Sequence, residues 1–532
     1  MESTRASSTP AEEAPVRVGR AIWISAATLA SRVLGLVRDQ VFAVLLGAGM
    51  VSDAFIAAFR IPNLLRDLFA EGALSSAFVP TFADVRRNRG EEAAWRLGNL
   101  VVGLLLAVVG ALTLLGLLFA PAVVSLVAPG FEAEARDLTI RLTRVMMPFL
   151  LLVSLAAAAM GMLNARGRFT APALAPALFN VGSIAVGAGL WAAGAGPERA
   201  VLGWSLGTLL GGLLQVLAQL PSLHGLGFRI RPALRGALAE PGVRRIAALM
   251  APALIGLSAT QVNAVVNTIF ASFADEGAVS WLQYAFRLMQ FPLGVFGVAI
   301  ATVAGAGVAQ RAAARDVPGV KRTLGSALRM VAFLNVPSTA GLAILAVPIV
   351  ALIFEHGLFD AADTAATAQA LVFYAIGLYA YSGVKVLAPA FYALDEPRVP
   401  VAGSVLGMAA NVALNAALYP VLGYRGVALG TSLAAVANFA VLVLSWRRRH
   451  GGLGGSGVVP QLLRVLAATA VLALAAWGSH ALLLGVVPER GLVRAFLLGL
   501  APVAAGALAY LAAARVLRIA ELGELMAAVR RR

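Results

Sequence analysis

No cysteine occurs anywhere in the 532 residues. That excludes disulfides, thiolate metal sites, iron–sulfur clusters and a cysteine nucleophile together, and it leaves the redox compartment unread. Charge is scarce, at 13% of residues against roughly a quarter in soluble domains. Lysine is almost absent: Lys321 and Lys385 are the only two among 42 basic residues. The four histidines, His224, His356, His450 and His480, stand at no metal-ligand spacing. A GxxxxGK[ST] phosphate loop is missing, so nucleotide hydrolysis by that route is excluded. What fills the chain instead is apolar, with 60% hydrophobic residues and a mean hydropathy of +0.86. A multidomain soluble enzyme does not have this composition. At ~20 apolar residues per span, the length allows a dozen or more. The expected fold class is an all-α polytopic membrane protein.

Residues 1–17 are polar and read as a short disordered tail; they lack the ordered basic, apolar and cleavage regions of a signal peptide. Apolar stretches follow at 19–44, 53–83, 97–128, 138–163, 170–194, 200–222, 244–273, 278–309, 324–354, 365–393, 399–421, 426–446, 458–486 and 493–516, fourteen in all. The loops test that count, because cytoplasmic loops carry the Lys and Arg excess. With the N-terminus inside and strict alternation, inside segments hold 28 basic residues and outside loops six. A missed span would scramble the pattern downstream. Both termini are therefore expected in the cytoplasm. The net charge of +16 follows the membrane in this way, and nucleic acid is not an expected partner.

A repeat is visible. Asp53-Ala-Phe-Ile-Ala-Ala-Phe-Arg60 is similar to Ser280-Trp-Leu-Gln-Tyr-Ala-Phe-Arg287, at an offset of 227. The loops at 165–172 and 393–400 are similar at an offset of 228. Spans 1–6 and 7–12 thus read as two pseudo-symmetric six-helix lobes in the same orientation, with substrate between them, as in parallel-repeat transporters. The boundaries expected are 18–223 for the N-lobe and 224–450 for the C-lobe. The two C-terminal spans, 451–516, are an appendage, and 517–532 a short cytoplasmic segment.

The chemistry gathers in spans 1, 2 and 8. Eight basic residues lie within spans, each costing ~2.5–3.5 kcal/mol at a helix centre, so those away from the ends face a wet cavity or a partner. Span 1 carries Arg32, Arg38 and Asp39; Arg32 and Asp39 share a helix face. Span 2 carries Asp53, Arg60, Asn63, Arg66, Asp67 and Glu71 around Pro62, with Asp53, Arg60 and Asp67 at heptad spacing. Span 8 adds Arg287, the repeat mate of Arg60. Guanidinium gives planar, bidentate recognition of phosphate, so several at one interface suit an anionic, phosphorylated substrate. The bland alternative is a set of internal salt bridges that fix packing. Gly203-Trp-Ser205-Leu-Gly207 matches the nucleophile-elbow pattern but sits inside an apolar span with no base nearby, and reads as close helix packing.

Ser31-Arg32-Val-Leu-Gly-Leu-Val-Arg38-Asp39, Gly47-Ala-Gly-Met-Val-Ser-Asp53 and Arg60-Ile-Pro-Asn63-Leu-Leu-Arg66-Asp-Leu-Phe-Ala-Glu71-Gly-Ala-Leu-Ser-Ser-Ala-Phe-Val-Pro80 together resemble the signature of the lipid II flippase family, MurJ or MviN. Ala128-Pro-Gly-Phe131, Asn267-Thr-Ile-Phe-Ala-Ser-Phe273, Arg287-Leu-Met and Lys385-Val-Leu-Ala-Pro389-Ala-Phe-Tyr392 extend the resemblance over the chain from about residue 18. The resemblance implies a transporter, not an enzyme. It would move undecaprenyl-pyrophosphate-linked peptidoglycan precursor, lipid II, across the bacterial cytoplasmic (inner) membrane by alternating access. It implies two lobes in a V plus two helices forming a groove for the lipid tail. Arg32, Arg38, Arg66 and Arg287 match the family's cavity arginines, and Asp39, Asp53 and Glu71 its acidic partners, with Asn63 beside them. Arg38, Arg66 and Arg287 are expected to hold the pyrophosphate, while Asp39 and Asp53 orient or neutralise arginines. Relatives carry acids flanking the span 8 arginine; here those positions are Phe286 and Gln290. Some members bind sodium, and the matching positions are Asn263 or Asn267, Asn411, Asn415, Val427 and Thr431, with no carboxylate among them. Sodium is the one candidate ion; no other cofactor is implied. Membrane lipids and the cell-wall synthesis machinery are the further partners implied. The competing readings are a related carrier for another polyprenyl-linked glycan or a drug, a membrane glycosyltransferase, which the short outside loops argue against, and a non-transporting scaffold.

Overall fold

The computed structural model describes residues 18–67, 74–453, 457–486 and 492–530, and their side chains except at 18–29, 32, 252, 253, 255–260, 492–495 and 528–530. Among the described residues the chain is helical and has no strand. Most of the apolar stretches read from the sequence coincide with one helix or with a broken pair; 53–83 takes in α2 and only the start of α3, with 68–73 outside the described residues. The first half contains α1 (Val18–Leu46), α2 (Met50–Leu65), α3 (Ser75–Leu118), α4 (Ala120–Val127), α5 (Ala133–Met146), α6 (Phe149–Ala165), α7 (Thr170–Ala192) and α8 (Pro197–His224). The second contains α9 (Pro241–Ser272), α10 (Ala278–Pro292), a π turn (Leu293–Gly297), α11 (Val298–Ala313), α12 (Val317–Ile344), α13 (Ala346–Phe354), α14 (Ala361–Ala375), α15 (Leu378–Ala393), α16 (Arg398–Leu422) and α17 (Tyr424–His450). The chain closes with α18 (Val458–Val486), α19 (Leu492–Val516) and α20 (Ala520–Arg530).

By length and hydropathy, ten of these described helices can cross a membrane, or eleven if α14 and α15, bent by 42° at their junction, form one span. The expected fourteen exceeds that tally, which α1, α2 and α9 do not enter. Local chemistry sets the breaks. α3 reaches through two expected spans as two helical segments joined end to end at a kink, where Gly90 takes non-helical φ 85° and ψ 176°. Asp316 caps α12 by accepting from the Gly319 N–H at 2.8 Å, and Asp360 caps α14 from the Asp363 N–H at 2.9 Å. Arg447, Arg448, Arg449 and His450 fill the last turn of α17, where positive charge complements the helix dipole.

Small residues bring helices together, as expected where lipid supplies no hydrophobic drive for association. The Gly203–Gly207 segment shows it. A Cβ at Gly207 would lie 2.8 Å from the Gly182 carbonyl of α7. The Ser205 hydroxyl donates to Val201 O at 3.0 Å within its own helix, so this serine is packing, not a nucleophile. Outward faces carry large exposed apolar side chains, Leu118, Val303, Leu482 and Val486 among them, which a bilayer would cover.

α18 and α19 pack on each other and on α12 and α13. α20 is tied back by Glu521, fully buried, whose carboxylate pairs with Arg329 of α12 at 2.7 Å and accepts from Gln461 of α18. Removing the carboxylate breaks the ion pair with Arg329 and takes the acceptor from the buried Gln461 amide. Glu521→Ala is expected to cost about 3 kcal/mol, seen as a lowered melting temperature and faster proteolysis after residue 516.

Candidate functional site

α2 and α10, the helices bearing the repeated segment, meet between the halves. At one end of this seam the halves are sewn shut. Asp53, 4% exposed, accepts from the Gly277 N–H (2.8 Å), the Ser280 N–H (2.8 Å) and the Ser280 hydroxyl (2.5 Å). Asp53 and Ser280 occupy matching positions of the two similar segments, at the offset of 227. Around them Met50 N–H donates to Glu276 (2.8 Å), and Asp363 accepts from Trp281 Nε1 (2.9 Å) and Ala48 N–H (3.2 Å). Leu358 N–H donates to Val44 O (2.9 Å), and Gly130 N–H to the Ser272 hydroxyl (3.0 Å). A shared core of Phe42, Phe55, Trp204, Tyr284, Phe354 and Phe359 backs this end.

Further along the seam stand the arginines. Asp39 of α1 pairs with its neighbour Arg38 at 2.7 Å and with Arg287 of α10 at 2.8 Å, so one carboxylate bridges the halves. The Arg38 guanidinium also lies over the Phe179 ring of α7, 5.3 Å from its centroid. Arg66 pairs with Asp67 at 2.7 Å, and Asp67 accepts from Gln261 of α9 at 3.0 Å. Arg60 donates to Thr268 of α9 (3.0 Å) and Gln283 of α10 (3.3 Å). Among the described residues, four guanidiniums here face two carboxylates, Asp39 and Asp67. Guanidinium is the side-chain group whose planar donors match carboxylate and phosphate.

The structure thus brings Arg38, Arg66 and Arg287 to one seam. The side chain of Arg32 and the whole of Glu71 lie outside the described residues; Asn63 is half-buried on α2. Asp53 bonds to no arginine among the described residues, so its expected role of orienting one does not match this geometry; it closes the end instead. The acid expected beside Arg287 and replaced by Phe286 and Gln290 is supplied by Asp39. Phe286 packs edge-on against Tyr374, 5.3 Å between centroids. Sequence reasoning missed Gln261, Thr268, Gln283, Trp281 and Asp363. Thr268, Trp281 and Gln283 lay inside the repeat and family-like segments above, while the signal of Gln261 and Asp363 was polarity inside or at the edge of an apolar span.

The second polar cluster joins α9, α16 and α17. Asn267 Oδ1 accepts from Asn415 Nδ2 (2.9 Å), Asn411 Nδ2 donates to the Thr431 hydroxyl oxygen (3.2 Å), and Thr431 gives its one proton to Val427 O (2.7 Å), with Asn267 Oδ1 3.2 Å from the same hydroxyl. The side-chain oxygens of Asn263, Asn411 and Asn415 are buried without a hydrogen-bond partner. Among the described residues no group of three or more His, Cys, Asp or Glu could hold a metal.

The sequence profile of the family described as "Lipid II flippase MurJ" matches residues 42–496. A "Probable lipid II flippase MurJ" of Vibrio cholerae is 37% identical over 430 residues, 79% of this chain and 81% of the relative.

The chain belongs to the lipid II flippase MurJ family.

It is accordingly a lipid-flipping transporter rather than an enzyme. The "Lipid II flippase MurJ" of Burkholderia cenocepacia is also 37% identical, over 80% of this chain and 83% of its own length. Among solved structures, "Lipid II flippase MurJ, inward closed conformation" superposes with a TM-score of 0.77 at 26% identity, covering 93% of this chain and 98% of that one. An inward-facing MATE transporter of the MOP superfamily shares the fold, with a TM-score of 0.63 at 16% identity, over 84% of this chain and 98% of that one. Membership of MurJ and ten or more apolar helices make this a multi-pass inner-membrane protein.

Proposed function

We propose that the chain moves lipid II between leaflets by alternating access, with the substrate pyrophosphate held by Arg38, Arg66 and Arg287. The observation that carries this is the Asp39 carboxylate shared between Arg38 of one half and Arg287 of the other. Without an anion, Asp39 screens two cations drawn from opposite sides of the seam. A pyrophosphate replaces that screen with more oxygens and more charge, binding both halves at once. Residues 18–223 and 224–450 are the moving lobes, and 451–516 the tail groove. The 28-to-6 bias of basic residues puts both termini and the Gly90 turn in the cytoplasm, and the Asp53–Ser280 end outside. The state described is then closed outward, with the arginines reached from the cytoplasmic side.

The Asn267, Asn411, Asn415, Val427 and Thr431 cluster is the candidate sodium site. Its donors are neutral oxygens, the ligand type hard cations take, and three buried amide oxygens nearby lack partners. A bound sodium would supply a positive charge tying α9 to α16 and α17. Cells depleted of the protein, probed with an enzyme that cleaves lipid II only from outside, test both readings. Wild type should restore cleavage and Arg287→Ala should not. In vesicles, a sodium gradient should speed wild type but not Asn411→Ala. Restoration by Arg287→Ala would remove the pyrophosphate assignment, and sodium indifference of wild type would remove the ion site.

A further inference from the structure

Lys385 lies on α15 within an expected span, with its side chain exposed, and the flipping reading so far gives it no task. It lines an open groove of about 380 Å³ between α11 and α15, with Val298, Ala301, Thr302, Ala306 and Pro389. Among the described residues no carboxylate lies within ion-pair distance of it and no hydrogen bond holds it. A lysine inside a membrane span costs ~2.5–3.5 kcal/mol at mid-depth, and such residues are kept where they meet a partner. The groove's other polar side chain, Thr302, spends its hydroxyl proton on Val298 O at 2.9 Å. Lys385 is therefore the groove's side-chain donor to an anion.

The groove's place in the fold names the anion. Arg287, Phe291, Val295, Val298, Thr302 and Ala306 recur every three or four residues along α10, the π turn and α11, so they form one stripe. Arg287 is on the part of that stripe that faces Asp39 of the other half, and Phe291, Val295, Val298 and Thr302 are exposed along it. At 1.5 Å per residue, Thr302 stands about 20 Å from Arg287 along the same face. Lipid II carries a peptide stem on the sugar next to its pyrophosphate, and an extended peptide spans ~3.3–3.6 Å per residue. Sugar, linker and a few residues of stem cover that distance.

We propose that Lys385 and its groove form a second substrate subsite that takes a free carboxylate of the stem peptide while the arginines hold the pyrophosphate. The inference rests on Arg287 as the pyrophosphate ligand. It makes the protein a two-point reader: the arginines accept any polyprenyl pyrophosphate, and Lys385 selects one bearing a peptide acid at the right distance.

The test is binding to the full-length protein in phosphatidylcholine nanodiscs, with three probes: lipid II, lipid II with its stem carboxylates amidated, and undecaprenyl pyrophosphate. Wild type should bind lipid II about tenfold more tightly than the amidated form, the size of one charge-assisted hydrogen bond. Lys385→Met should bind both at the weaker level and bind undecaprenyl pyrophosphate as wild type does. Lys385→Arg should keep the discrimination. Lys385→Gln serves if the methionine variant does not fold. Equal discrimination by wild type and Lys385→Met overturns the subsite, and so does an equal loss for undecaprenyl pyrophosphate. Loss of the wild-type advantage when phosphatidylglycerol is added would assign the lysine to a phospholipid headgroup and overturn it too. The underlying reading has its own arm: Arg287→Ala must weaken all three probes, and if it weakens none, the pyrophosphate assignment fails whatever Lys385 does.

Discussion

Asp39→Asn should abolish flipping in a protein that still inserts and folds. The carboxylate sits 2.7 Å from the Arg38 guanidinium and 2.8 Å from that of Arg287. Asparagine keeps the shape and one acceptor but removes the charge. Two cations held about 5 Å apart at an effective dielectric of 20 repel by roughly 3 kcal/mol. That repulsion acts across the seam, so it pushes the halves apart before substrate arrives and biases the cycle. At 1.4 kcal/mol per tenfold, the active arrangement would be depleted about a hundredfold. Asp39→Glu, longer by one methylene, should retain part of the activity. The Asp39→Asn/Arg287→Gln pair separates structure from transport: removing the second cation should restore thermal stability without restoring flipping. Leaflet accessibility and melting temperature, measured together, read this out. Wild-type flipping by Asp39→Asn would mean that the bridge is packing only.

The bridge also marks where the sequence stops being readable. Hydropathy located most of the long helices, because crossing a bilayer demands a long apolar run whatever the fold, but its count of fourteen exceeds the ten or eleven described helices that pass by length and hydropathy. It did not locate the break between Met146 and Phe149 or the bend at Ile376 and Gly377, where one apolar run serves two helices. Face arithmetic placed Arg32 with Asp39, and Asp53 with Arg60 and Asp67. Seven residues share a face yet stand about 10 Å apart along the axis, too far for a direct ion pair. Asp53 therefore turned to α10, and Asp39 to Arg287, 248 residues away in sequence. The Arg38–Asp39 pair breaks the rule that adjacent residues diverge, because the long arginine arm reaches round. The repeat was more informative than either. An offset of 227 not only paired two helices in kind; it picked out Asp53 and Ser280, which touch.

That contact leads to the second large effect. Gly130 and Gly277 let the halves close at the Asp53–Ser280 end. A Cβ on Gly130 would lie 2.5 Å from Ser272 O, and one on Gly277 2.9 Å from Ala48 O. Gly277 also holds φ at +94°, which L side chains avoid. Backbone oxygens cannot yield as a side-chain tip does, so Gly130→Val is a wedge between the halves. Overpacking costs ~1–3 kcal/mol, enough to shift a two-state equilibrium about tenfold or more against the closed form. Asp53→Ala should act the same way by removing the acceptor for Gly277 and Ser280. The absence of native cysteine makes the measurement clean. Ala48→Cys gives a single thiol in the loop that the second half covers. In Gly130→Val and in Asp53→Ala, a membrane-impermeant maleimide added outside should label it about ten times faster than in the parent, and flipping should fall in step. Unchanged labelling in both would show that this end does not open during the cycle. Faster labelling only from the cytoplasmic side would reverse the orientation drawn from the loop charges while keeping the hinge.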